Sequence, residues 1–84
     1  EKMKIEVFGV GCAKCVSLEK SVREAVKQMK IQAEIVKVTD IEEMVEKGIM
    51  STPALAVDGK IVSTGKILSV QDIVAILRKV GVDG

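Results

Sequence analysis

Eighty-four residues, 48% hydrophobic and carrying a net charge of +1, describe one small domain over residues 1–84, whose size demands an efficient core. The balanced charge removes the electrostatic case for nucleic acid or an anionic membrane, and Phe8 as the single aromatic leaves no platform for stacking bases. Two cysteines are too few for a secreted disulfide scaffold. With no signal peptide and no apolar run long enough to span a bilayer, the expected location is the cytoplasm.

Lys2 to Phe8 reads as the first strand, with Met3, Ile5 and Val7 alternating with Lys4 and Glu6 before Phe8 breaks the pattern. Gly9, Val10 and Gly11 form a loop. A helix is expected from about Cys12 to Met29, because Cys15, Leu18, Val22, Ala25, Val26 and Met29 fall mostly at steps of three and four. Cys15 continues that stripe and Cys12 precedes it, so Cys15 is expected to be the more buried thiol. Lys30 to Gln32 connects to a second strand, Ala33 to Val38. Asp40 with Glu43 reads as a capping box. The short helix it opens turns Ile41, Met44 and Val45 inward and stops near Gly48. Strand, long helix, strand makes a β-α-β unit with parallel strands and a right-handed crossover.

Ile49 to Pro53 is a loop holding the only proline. Ala54 to Val57 is a third strand, Asp58-Gly59 a two-residue hairpin turn, and Ile61 to Thr64 a fourth strand ended by Gly65-Lys66. Ser69 caps the last helix with Asp72 as reciprocal partner. Its buried face is Val70, Ile73, Val74, Ile76, Leu77 and Val80, and Gly81 stops it. Met3, Met29 and Met44 sit at apolar positions, while Met50, before Pro53, is placed to line a substrate groove.

The chemistry gathers at Cys12-Ala13-Lys14-Cys15. A dithiol at the first turn of a helix meets backbone N–H groups without intrahelical partners and the positive end of the helix dipole. Both favour the thiolate, the form that attacks disulfides and binds soft metals. A C-x-x-C pair beside a β-α-β pattern reads as a redox motif.

From Met3 to about Val80 the chain resembles the thioredoxin/glutaredoxin superfamily, most closely its small, glutaredoxin-sized redox-active disulfide proteins of archaea and bacteria. Three stretches carry the likeness: Gly11-Cys12-Ala13-Lys14-Cys15, Ser51-Thr52-Pro53-Ala54-Leu55, and Val57-Asp58-Gly59-Lys60-Ile61 leading to Gly65. The resemblance implies an α/β, thioredoxin-like fold in the order β-α-β-α-β-β-α, a four-stranded mixed sheet flanked by three helices. It implies a thiol–disulfide oxidoreductase of thioredoxin type, in which Cys12 is the nucleophile and Cys15 the resolving cysteine. The substrates would be protein disulfides and the electrons would come from a thioredoxin-reductase-like flavoprotein. The protein would act as a monomer, with no cofactor beyond a redox-active Cys12–Cys15 disulfide and no metal.

Pro53 resembles the family's cis-proline, which leaves the backbone of Thr52 available to an extended substrate. Gly65 resembles the glycine that admits substrate backbone on the other side. Lys14 replaces the usual proline of the dipeptide and adds positive charge near both sulfurs. Lys66-Ile67-Leu68 follows Gly65 where glutaredoxins carry acidic residues, which favours protein substrates over glutathione. Glu6 stands on the strand leading to Cys12, where thioredoxins often carry a buried acid that shuttles a proton for the resolving cysteine. Read from the strand alone, it is a surface-facing side chain at the sheet end. The rival to the redox reading is a soft-metal carrier of the Cu(I) type, since Gly11 to Val16 also resembles the loop of heavy-metal-associated domains. Those domains end on a strand and carry Met two residues before the first cysteine, where this chain has Val10.

Overall fold

The computed structural model describes residues 3–10 and 13–80. The elements run β1 (Met3–Phe8), α1 (Ala13–Met29), β2 (Ala33–Val38), α2 (Ile41–Glu46), β3 (Ala54–Val57), β4 (Lys60–Thr64) and α3 (Val70–Lys79). The expected start of the first strand at Lys2, the helix start at Cys12 and the stop at Gly81 lie outside the described residues. The fourth strand begins one residue earlier than the sequence pattern suggests.

The sheet has the order β2-β1-β3-β4. β1 pairs parallel with β2 from Met3↔Ala33 to Phe8↔Val38, as the β-α-β crossover requires. It pairs antiparallel with β3 from Ile5↔Val57 to Phe8↔Ala54. β3 returns into β4 through Asp58 and Gly59, which take φ of 51° and 84°, the positive values that a type I′ turn needs at both positions. A register shift between Leu55 and Ala56 bends the β3–β4 ladder.

Two helices cover one face of the sheet and one short helix covers the other. On the first face, Ile5, Val7, Leu55 and Val57 from the strands pack with Leu18, Val22 and Ala25 of α1 and Ile73 and Leu77 of α3. The stripe read from the sequence of α1 is the buried one, with Cys15 at its head. Ser69 Oγ accepts from Asp72 N–H at 3.1 Å and Asp72 accepts from Ser69 N–H at 3.2 Å, closing the expected capping box of α3. Within α3, Ile73 and Leu77 are fully buried, while Val70, Val74, Ile76 and Val80 pack at the margin of that core.

On the second face, Phe8, Val38, Ala54 and Ala56 pack under Met44 and Ile49. Here the structure corrects two expectations. Asp40 caps α2, but its Oδ1 accepts from Glu42 N–H at 3.0 Å, and among the described residues Asp40 N–H donates no reciprocal bond to the Glu43 carboxylate. Only Met44 of the three apolar α2 residues turns inward, for Ile41 is 62% and Val45 69% exposed. A helix of six residues completes fewer than two turns, so it has one position per turn to give the sheet. Lys47, the C-cap of α2, holds its ammonium 6.0 Å from the Phe8 ring centre.

Candidate functional site

β1 ends at the site. Its last residues, Val7 and Phe8, are buried on opposite faces. Gly9 continues the strand line by donating its N–H to Val38 O at 3.0 Å. Cys15 lies in the first turn of α1 and is 8% exposed. Its Sγ rests directly on Gly9: a side chain there would collide with the sulfur and come within 3.1 Å of Cys15 Cβ. Gly9 is therefore the floor under Cys15, and any side chain would push the helix start off the strand. Cys12 lies outside the described residues, so of the pair the structure describes Cys15.

The first turn of α1 differs from those of its neighbours. α2 carries Glu42 and Glu43 there and α3 carries Asp72, whereas α1 has no acidic residue in its first turn. A carboxylate at that position complements the dipole and the unpartnered N–H groups. In α1 that end is left to Cys15. Lys14 is exposed beside Cys15 and adds positive charge to the same end.

The second half of the site comes from the chain entering β3. The last β1–β3 pair is Phe8↔Ala54, so the next residues outward are Gly9 and Pro53. The floor of Cys15 and the proline thus face each other across the strand ends. The Thr52–Pro53 peptide is cis. Pro53 is buried and Thr52 exposed, and among the described residues Thr52 uses neither its N–H nor its C=O in a backbone bond outside the helices and strands. Pro53 O accepts from Gly65 N–H at 2.9 Å, which carries the β3–β4 ladder one step past Ala54↔Thr64. Gly65 takes φ of +68°, and a Cβ there would stand 2.9 Å from Ser51 Cβ. Backbone conformation and close approach both require glycine. Cys15, Thr52, Pro53 and Gly65 are thus gathered at one end of the sheet.

Glu6 departs from the strand's own pattern. It is buried, at 6% exposure, because the α2 layer covers the face that the alternation left to solvent. Its sheet neighbours are Val36 and Ala56, both in the apolar layer that holds Phe8, and no hydrogen bond or ion pair reaches its carboxylate among the described residues. Gly9 was not singled out by the sequence reading, which took it for part of a loop. A glycine immediately after a strand that both faces bury was the available signal.

The segments that build the site also expose apolar side chains. Val10, Met50 and Ile67 are all more than half exposed, Met50 at 95%, and Val16 nearly so. No helix among the described residues is long and apolar enough to cross a membrane.

A family profile described as "Thioredoxin domain" matches residues 3–78. A thioredoxin of Methanothermobacter thermautotrophicus is 44% identical over 75 residues, which span 89% of this chain and 97% of that protein. A thioredoxin of Methanocaldococcus jannaschii is 48% identical over 69 residues, 82% of this chain and 79% of that one. Among solved structures, thioredoxin-2, described as a component of malaria parasite protein secretion machinery, superposes with a TM-score of 0.72 over 93% of this chain and 82% of its own at 15% identity. The oxidised thioredoxin from Plasmodium falciparum gives 0.64 over 98% and 84% at 19% identity. At such identities these superpositions establish the fold.

Proposed function

The chain belongs to the thioredoxin family of thiol–disulfide oxidoreductases, and from that premise we propose that Cys12 and Cys15 exchange disulfides with protein substrates. Cys12, the first cysteine of the pair, is the nucleophile. Its thiolate attacks one sulfur of the substrate disulfide, the S–S bond breaks, and the other sulfur leaves as a thiolate that takes up a proton. Cys15 then attacks the Cys12 sulfur of the mixed disulfide. The second substrate thiol is released, and a Cys12–Cys15 disulfide carries the two lost electrons' worth of oxidation. A flavoprotein of thioredoxin-reductase type returns the pair to the dithiol. No further cofactor is involved, and the protein works as a monomer in the cytoplasm.

The observation that carries this reading is the seat of Cys15: a buried sulfur in a helix first turn free of acid, lying on the bare backbone of Gly9. It is sheltered from substrate yet faces the same helix end that favours thiolate. Thr52 supports the reading with an exposed backbone, unengaged among the described residues, beside the cis bond, where an extended substrate can pair. Gly65 keeps the opposite wall bare. Lys14 raises the positive potential at the dithiol. Glu6, buried below the strand end, is the proton carrier for Cys15.

The metal-carrier reading of the pair draws no support from this fold, whose last described element is α3 after a hairpin. Trapping tests the proposal. A Cys15→Ser variant should accumulate mixed disulfides through Cys12 with oxidised protein substrates, and Cys12→Ser should accumulate none. Trapping by Cys12→Ser alone would reverse the two roles, and trapping by neither would end the redox reading.

A further inference from the structure

α2 violates two rules at once. Ile41 and Val45 stand one turn apart, both more than 60% exposed. They therefore contribute little to the core. They also contribute little to the helix, since β-branched residues are poorer helix formers than the Lys, Glu or Ala that would serve at solvent-facing positions. A six-residue helix that gives up both terms for its two outer positions points to a use outside the fold. The surroundings indicate which. From Asp40 to Lys47 the chain carries four carboxylates and one ammonium, and Asp40, Glu42 and Glu46 are exposed around the two apolar side chains. Lys14 and Lys66, exposed and next in sequence to Cys15 and Gly65, give the opposite sign at that end of the sheet. α2 is also tied to the site at both ends. It starts three residues after Val38, whose carbonyl holds Gly9, and the chain leaving it passes through Met50 to the Thr52–Pro53 bond.

We propose that the exposed face of α2, Ile41 and Val45 within an acidic rim, docks an apolar patch ringed by Lys and Arg on the protein whose disulfide the dithiol reduces. The proposal rests on the redox reading above and adds the chemistry of the partner. The charge split orients that partner. Its basic ring lies over α2, and its disulfide, free of flanking positive charge, lies over Lys14 and Lys66. Complementary charge of this kind raises the encounter rate and excludes partners of the wrong sign.

The test uses the full chain, reduced, with three probes. Two are synthetic peptides of about a dozen residues, ~40 Å when extended and longer than the 34 Å long axis of the molecule. Each carries a fluorogenic disulfide at one end and two leucines at the other, ringed by Lys and Arg in one peptide and by Glu and Asp in the other. The third probe is hydroxyethyl disulfide, small and uncharged. At low salt the basic peptide should be reduced about tenfold faster in kcat/KM than the acidic one, and the preference should fade above about 0.5 M salt. Glu42→Lys with Glu46→Lys should reverse the preference. Ile41→Ser with Val45→Ser should raise KM for the basic peptide several-fold at unchanged kcat. Hydroxyethyl disulfide should be reduced equally by every variant, which also certifies their folding. Equal rates for the two peptides, or α2 variants without effect on them, would overturn the docking proposal while leaving the redox reading intact. A dimer that Ile41→Ser with Val45→Ser breaks would also overturn it, since a second copy would then cover α2. Failure to reduce hydroxyethyl disulfide would remove the redox reading and the proposal with it.

Discussion

The two faces of the sheet are built to different standards. The α1/α3 face is closed by helices of 17 and 10 residues, and the strand side chains it buries are all aliphatic. The α2 face is closed by six residues, buries a carboxylate, and leaves two of its helix's three apolar side chains in water. One face maximises burial per residue, as an 84-residue chain must. The other gives up some of that burial and holds Glu6 and the segment that delivers the cis bond. Cys15 sits where they meet, at the head of the α1 stripe and against Gly9, the residue after β1. On this comparison, stability is set mainly by the first face and chemistry is tuned from the second.

Truncation should separate them most clearly. Leu18→Ala and Leu77→Ala remove fully buried side chains from the α1/α3 face, and each should cost about 2–5 kcal/mol in urea unfolding. Met44→Ala on the other face should cost less than either, at or below about 2 kcal/mol, because a six-residue helix can settle toward the sheet and close the cavity. Equal losses on both faces would break the comparison.

At the junction, Gly9→Val places a branched side chain against Cys15 Sγ. The overpacking should cost about 1–3 kcal/mol, and iodoacetamide should label Cys15 faster as the helix start lifts away. Loss of stability with no change in Cys15 labelling would mean that the floor is structural only.

Glu6 should show the opposite sign. No partner reaches the buried Glu6 carboxylate among the described residues, and such burial is unfavourable, so Glu6→Leu should raise stability by about 1–2 kcal/mol while slowing disulfide turnover, a trade expected where function sets the residue. The conservative Glu6→Gln separates a proton carrier from a space filler. It keeps the size of the side chain, so slower release of substrate from the Cys12 mixed disulfide at unchanged urea stability is a readout that packing alone does not move. Destabilisation by Leu would show that the second face is built like the first.

The better-built face was also the more legible one. The α1 stripe from Cys15 to Met29 and the Ser69–Asp72 box follow from periodicity and cap chemistry, because long helices repeat their signal over several turns. The same periodicity failed on α2. Ile41, Met44 and Val45 have the spacing of a buried stripe, but one and a half turns cannot turn all three toward one sheet. Glu6 misled for a related reason. Alternation tells which face a side chain takes, not whether another layer covers that face, and cover here depends on Met44 and Ile49, about forty residues away in sequence. Asp58-Gly59 and Thr52-Pro53 were readable because turn and proline chemistry are local. The role of Gly9 was not, since it depends on where a helix comes to rest.

The smallest expected effect lies at the edge of the first face, where Glu19 of α1 takes Arg23 Nη2 at 2.8 Å and Lys37 Nζ of β2 at 3.4 Å. The hydrogen bond from Arg23 holds the Glu19 carboxyl below its ordinary value of 4.5, partial desolvation opposes that shift, and Lys37 adds to it. A carboxylate whose pKa is depressed by folding adds stability that is fully present above the ordinary value and is lost as pH falls through the folded one. Both cations are more than half exposed, so solvent screens the pair, and Glu19→Gln should cost under about 1 kcal/mol at pH 7. The gap between wild type and variant should begin to narrow as pH falls past the ordinary value of 4.5, should close only in stronger acid, below the depressed folded value, where both side chains are neutral, and should narrow with added salt at neutral pH. A gap that persisted in acid would assign Glu19's contribution to the packing of its methylenes against β2, and the α1/α3 face would then owe its edge, like its centre, to burial.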